Sequence, residues 1–243
     1  MMIGTFFVVS VFVQVSRGYN AIQTGLIVTP ATLGILLSST RVGRMTQKYS
    51  QRSIIRAGFV MASTGILLLL LLVDATSSVL LFVPGLLLVG FGAGVMLTAS
   101  VNTVQSSVPD KDQGEISGIS RSVSNLGSSL GTATAGAVLI SALVAGIGSR
   151  VAESTVLSTD EKARLTAALQ GSVSALSDAQ IRAALEGQPQ AVVDEVTIIN
   201  AEARDRALGL ALAAVGLFGL IGLAASMFLP ESAGRTEHRN SRQ

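Results

Sequence analysis

The 243 residues are 49% hydrophobic and 13% charged, with net charge +2, no cysteine, no tryptophan and a single histidine. So apolar a chain of this length is not a soluble domain, and its near-neutral charge, with no basic cluster interleaved with aromatics, excludes a nucleic-acid binder. Disulfide and thiol chemistry are excluded, and His238 stands alone in a polar tail with nothing nearby to complete a metal site, so no metal and no cofactor is expected.

Six stretches carry no charge: 1–16, 18–40, 57–73, 79–101, 122–149 and 207–229. About 18 mainly apolar residues suffice to cross a bilayer as a helix. In hydrocarbon a helix satisfies its own backbone amides, so it is the natural spanning structure. The expectation is an all-α integral membrane protein with six transmembrane helices, in contact with lipid all round. The organisation reads as 1–147 for helices one to five, 148–205 for an extracytoplasmic helical loop, 206–229 for helix six and 230–243 for a tail.

Span one is the shortest, at about 16 residues. Met1 opens directly into it, without the charged leader of a signal peptide. The expectation is a helix whose start is missing, or a late start codon, in a longer protein. Gln14 is its polar residue. Span two holds Thr29, Thr32 and Pro30, the proline between Gly25 and Gly34. Proline removes a backbone hydrogen bond and kinks a helix, which serves either as a gate or as a static bend.

The stretch after span two holds Arg41, Arg44, Lys48, Arg52 and Arg56 and no acid. The positive-inside rule makes it cytoplasmic. The tail with Arg235, Arg239 and Arg242, and the loop at Lys111, fall on the same side. The short loops near Tyr19 and Asp74 then lie outside. Both termini are expected in the cytoplasm, in a multi-pass protein of the plasma (inner) membrane.

Span four carries Gly90, Gly92 and Gly94, with Pro84 early in it and Asn102 and Gln105 near its end. Span five carries Gly127, Gly131 and Gly136 with Asn125 and several serines, and span six Gly209, Gly216, Gly219 and Gly222. Small residues let helix backbones approach closely in lipid. Ser124 and Ser128 read as packing groups, and Arg121 as a residue that snorkels to the interface or pairs with Asp112 or Glu115. Between spans five and six, residues 148–205 hold nine acids and five bases. Ser158 with Glu161, and Ser177 with Gln180, have capping-box spacing, and Gly171 and Gly187 stand where helices stop. A helical hairpin over 157–171 and 176–187 is expected, then a third helix from about Gln190 leading into span six. It is either a lid over an outer vestibule or a solvated cap.

Polar groups within spans are costly and mark pathways. Gln14, Thr29, Asn102 and Asn125 are the candidates to line a substrate cavity. No Asp or Glu lies deep in a span, which removes an intramembrane aspartyl protease. There is no His-Glu-x-x-His, and no Ser with a His or Lys partner, so an enzyme is not expected.

The run Gly43-Arg-Met-Thr-Gln-Lys48-Tyr-Ser-Gln-Arg52 resembles the G-x-x-x-D-R-x-G-R-R/K loop of the major facilitator superfamily. Gly43, Lys48 and Arg52 match, while Gln47 replaces the acid and Ser50 the second glycine. Gly18-Tyr-Asn-Ala-Ile-Gln-Thr-Gly25 before Pro30 and Gly34 is similar to the fourteen-helix drug:proton antiporter branch. So is Val108-Pro-Asp-Lys-Asp-Gln-Gly114-Glu-Ile-Ser-Gly118 before Asn125-Leu-Gly127 and Gly131. The resemblance covers the whole chain and aligns it with the last six helices.

It implies the C-terminal bundle of a proton-driven carrier that exports amphipathic organic compounds by alternating access, a multidrug-resistance function. Gly43, Arg44, Lys48 and Arg52 would form a cytoplasmic gate loop that pairs with acids or helix C-termini. Protons would act through residues outside this chain, and the partner bundle would be an N-terminal helix bundle or a second copy, the latter without a membrane carboxylate to couple to protons. The alternative is a truncated or non-transporting membrane module, a scaffold or partner of another helix bundle.

Overall fold

A computed structural model describes residues 1–45, 48–74, 77–106, 108–155, 157–159, 162–163 and 189–228. Among them lie six α-helices: α1 (Met2–Arg17), α2 (Ala21–Met45), α3 (Gln51–Leu72), α4 (Phe82–Ser106), α5 (Gln113–Glu153) and α6 (Gln190–Ser226). The chain is an all-α membrane protein. Helices α2 to α6 are long and apolar enough to cross a bilayer, and α1 is apolar but shorter.

Local chemistry sets the helix ends. The chain leaves α1 at Gly18, whose φ of 64° is the left-handed conformation that closes a helix. Two residues later Asn20 and Gln23 form a capping box, each backbone N–H donating to the other's side-chain carbonyl at 2.9 and 3.0 Å. Ser50 caps α3 by accepting from the Ser53 N–H at 3.3 Å. This cap starts α3 at Gln51, ahead of the uncharged stretch that begins at 57. The basic stretch is therefore mostly helix: Gly43 and Arg44 ride the last turn of α2, and Arg52 and Arg56 the first turns of α3. Pro30 lies within α2, a continuous 25-residue helix. Pro84 sits in the first turn of α4, where its missing N–H has no acceptor to lose.

Helices α5 and α6 are 41 and 37 residues long, which at 1.5 Å per residue is about 61 and 55 Å against a hydrocarbon core of about 30 Å. They run together beyond the membrane portion as a two-helix stalk, so helix occupies both ends of the 148–205 stretch. The stalk has its own apolar cluster of Val151, Leu157, Val192, Val196 and Ile199. Arg150 and Glu202 pair across it at 2.7 Å, and Ser154 Oγ donates to Glu195 at 2.8 Å. The hairpin expected over 157–187 falls almost wholly outside the described residues, and the tail 230–243 falls outside them entirely.

The bundle is two triplets. Helix α4 packs on α2 and α3, α5 packs on α6 and α1, and α3 against α6 joins them. Glycine makes these approaches possible. A Cβ at Gly90 would overlap the Ala31 carbonyl, and one at Gly92 the Gly58 carbonyl. On the joining seam Gly216, Gly219 and Gly222 of α6 face Ile66, Ser63 and Phe59 of α3. Lipid offers little hydrophobic drive between helices, so contact density does this work. The main core gathers Val8, Phe12, Ile66, Leu69, Leu86, Ala135, Leu212 and Val215 from both triplets.

Candidate functional site

The ends of the bundle are built differently. At the far end Arg17, in the last turn of α1, reaches the α3–α4 connection. Its Nη2 donates to the Ser77 carbonyl and, at 3.4 Å, to that of Asp74. Its guanidinium lies 6.0 Å from the centre of the Phe82 ring. At the basic end a second small core, Val42, Ile54, Ile55, Val95 and Ala99, ties α2, α3 and α4 together. Thr103 Oγ1 donates to Gln51 Oε1 at 2.7 Å there.

The residues expected at the gate separate by role. Arg52 Nη2 donates to the Met227 carbonyl at the end of α6, and Arg56 Nη2 approaches the same oxygen at 3.5 Å. A helix C-terminus bears unsatisfied carbonyls and a negative dipole end, so two guanidinium groups are well placed there. Lys48 is exposed on the connection, where its backbone N–H closes α2 onto the Met45 carbonyl at 3.0 Å. Gly43 is exposed with open space where a Cβ would stand. Gln47 and the side chain of Arg44 lie outside the described residues.

The four cavity candidates, Gln14, Thr29, Asn102 and Asn125, are all left uncovered by the rest of the chain. Among the described residues no hydrogen bond joins any two of them. They also differ in depth. Gln14 is one turn from Arg17 at the far end, and Asn102 is on the last turn of α4 at the basic end. Thr29 and Asn125 lie between, about 12 and 18 Å along α2 and α5 from their starts. The Thr29 hydroxyl is already spent on the Gly25 carbonyl of its own helix, at 2.9 Å. Gln14 shares the bare face of α1 with Ile3 and Phe7.

Asn125 belongs to the most open surface of the bundle. The first half of α5, before Gly131, buries none of its described side chains. Its bare apolar stripe is Ile119, Val123, Leu126 and Leu130. Arg121, Ser124, Asn125 and Ser128 lie on the other side, in register with the face that α5 buries against α1 and α6 further along. Sequence reading missed Ser63, whose buried Oγ has no partner among the described residues where α3 meets α6. It also missed the burial of Asn200 and Arg204 at the base of the stalk. Position relative to a neighbouring helix is what distinguishes these three, and composition does not report it.

Polytopic apolar helices in two triplets, packed through glycine and exposing apolar side chains on every helix, define a membrane helix bundle. The family model of the Major Facilitator Superfamily matches residues 1–132. The chain belongs to that superfamily. It is similar to the multidrug resistance protein Stp of Mycobacterium tuberculosis, with 35% identity over 128 residues, 53% of this chain and 24% of that protein. It is also similar to the multidrug efflux pump LfrA of Mycolicibacterium smegmatis, 26% identical over 137 residues, 56% of the chain and 27% of the relative. The quinolone resistance protein NorB of Staphylococcus aureus is 30% identical over 137 residues, 56% of the chain and 29% of that protein. The matched part spans about a quarter of the length of these relatives. No solved structure matches the chain.

Proposed function

We propose that the chain is the C-terminal six-helix part of a drug-efflux carrier of the plasma membrane. The complete protein would export small amphipathic organic compounds by alternating access, driven by proton entry, and would not be an enzyme. The observation that carries this reading is the match to resistance and efflux proteins from α1 to the middle of α5. The geometry agrees with it. The inner half of α5 and the outer faces of α1 and α2 are bare, as walls facing a second bundle would be. Thr29 and Asn125, near mid-depth, suit a largely apolar cavity with few polar anchors. Proton coupling would use carboxylates on the remainder of the protein, because none lies deep in these helices.

Lys48 is exposed on the α2–α3 connection, and Arg52 reaches a helix C-terminus. In the complete carrier, Lys48→Ala with Arg52→Ala should slow efflux of a fluorescent dye from intact cells at equal amounts of protein in the membrane. Unchanged efflux removes the gate role. Lys48→Ala alone, which breaks no contact of this bundle, tells gating from a loss of packing at α6.

The same bare faces favour a second reading, a non-transporting module that docks another bundle or a second copy. The discriminator is the six-helix chain expressed alone in a pump-deficient host. Dye export by it would require a self-assembled cavity. A discrete monomer or dimer in detergent without export supports the module, and export by the complete coding region supports the carrier.

A further inference from the structure

The proline inside α2 frees a backbone acceptor within the membrane. Pro30 has no N–H, so the Leu26 carbonyl loses the donor that a helix supplies four residues on. In hydrocarbon a bare carbonyl is costly, and a neighbouring helix, a hydroxyl or a bound molecule has to answer it. The nearby hydroxyls are committed elsewhere. Thr24 Oγ1 donates to the Asn20 carbonyl at 3.0 Å, and Thr29 Oγ1 to that of Gly25 at 2.9 Å. Helix α4 packs on the other side of α2, where the buried Ala31, Gly34 and Ser38 meet Gly90, Leu87 and Gly94. Leu26 is 68% exposed and Pro30 is partly exposed. A helical carbonyl points along the axis toward the residue four on, so this one lies between those two side chains, at the edge of the uncovered face.

Thr29 stands on the same uncovered face. With its proton on the Gly25 carbonyl, Thr29 Oγ1 has only a lone pair left to offer. Gly25, one turn above, has open space where a Cβ would stand, which leaves room over Thr29. Around them the face is Ile22, Leu26, Leu33 and Leu36, and α2 contains no Asp or Glu. Pro30 is about 14 Å along α2 from its start, near the middle of a hydrocarbon core of about 30 Å. Two uncharged acceptors at mid-depth, in apolar surroundings, match an N–H donor carried on an apolar body.

We propose that the Leu26 carbonyl and Thr29 Oγ1 form a hydrogen-bond-accepting subsite for the N–H of an amphipathic amine. The subsite selects for the N–H itself. A carbonyl dipole acts on a donor at hydrogen-bond contact, whereas a quaternary ammonium has no hydrogen to give and holds its methyl groups between its charge and the oxygen. The inference rests on the transport reading, which turns this face of α2 to the cavity.

The test uses the complete carrier in a pump-deficient host. Two fluorescent dyes share one aromatic body, and one ends in a methylammonium group, the other in trimethylammonium. At equal loading, energy-dependent efflux of the methylammonium dye should be about tenfold faster, from one charge-assisted hydrogen bond. Pro30→Ala, which returns an N–H to the Leu26 carbonyl, should remove most of that preference. Thr29→Val, close in shape but without the oxygen, should remove part of it, and Thr29→Ser should keep it. A helix merely straightened at position 30 would slow both dyes alike. Equal export of the two dyes by the parent, or a preference unchanged in Pro30→Ala and Thr29→Val, overturns the subsite and leaves the transport reading standing. Export of neither dye by the parent overturns the transport reading, and the subsite falls with it. If Pro30→Ala does not reach the membrane, Thr29→Val alone carries the test, and an unchanged preference in it overturns the subsite.

Discussion

Arg52 and Arg56, one turn apart on α3, converge on the Met227 carbonyl. The last carbonyls of a helix have no partner within it, and at the membrane edge a cation supplies both the hydrogen bond and the compensating charge. Removing both guanidinium groups by Arg52→Ala and Arg56→Ala should therefore cost about 1–2 kcal/mol. A lower melting temperature of the purified protein in detergent would register it, and Arg52→Lys, which keeps the charge, should recover part. No change in melting would show the contact to be idle. The basic character of this stretch was readable in sequence. Its acceptor was not, because 175 residues separate Arg52 from Met227 and nothing local marks a carbonyl as an arginine's partner. Asn125 shows the converse. A polar residue in an apolar run is visible at once, but whether it faces a neighbour, lipid or a cavity depends on how far α5 stands from α4, which only packing decides.

At the scale of the helix, glycines that read alike in sequence divide into two kinds. Gly90 touches the backbone of α2, and its added methyl would overlap the Ala31 carbonyl, whereas Gly127 has open space around it. Gly90→Ala should push α4 off α2 and cost about 1–3 kcal/mol. Gly127→Ala should be neutral or stabilising by up to about 1 kcal/mol, since alanine favours helix. Thermal melting of the two variants in detergent checks both, and equal destabilisation would mean that α5 is covered where it stands bare here. The small-residue pattern predicted close packing without saying which glycines make it, because contact needs a partner at the same depth. The helix ends show a related limit. Charge is expected to mark where the bilayer stops, and each uncharged stretch lies largely within one helix. It does not mark where a helix stops: α5 and α6 continue into the polar 148–205 stretch on i, i−4 hydrogen bonds, which need no lipid.

At the scale of the molecule, each triplet joins two consecutive helices to one from the other half of the chain: α2 and α3 take α4, and α5 and α6 take α1. The first three helices and the last three thus have exchangeable places, the pattern of repeats that many transporters are built from. Counting spans gives six helices but not this pairing, since both orders use the same lengths and loops. Orientation is a separate matter that the bundle's internal contacts leave open, and the charge asymmetry is what argues it: bases without acids on 41–56, an acidic excess beyond α5. The chain has no cysteine, so single cysteines report it without background. Tyr49→Cys on the α2–α3 connection and Thr155→Cys just past the end of α5 on the stalk are both exposed positions at opposite ends of the bundle. With a membrane-impermeant maleimide on intact cells, Thr155→Cys should label at once and Tyr49→Cys only after permeabilisation. The reverse pattern would put the basic end outside and remove the cytoplasmic gate. Labelling of both in intact cells would mean that the bundle does not keep one orientation, and with it the alternating-access reading would lose its two sides.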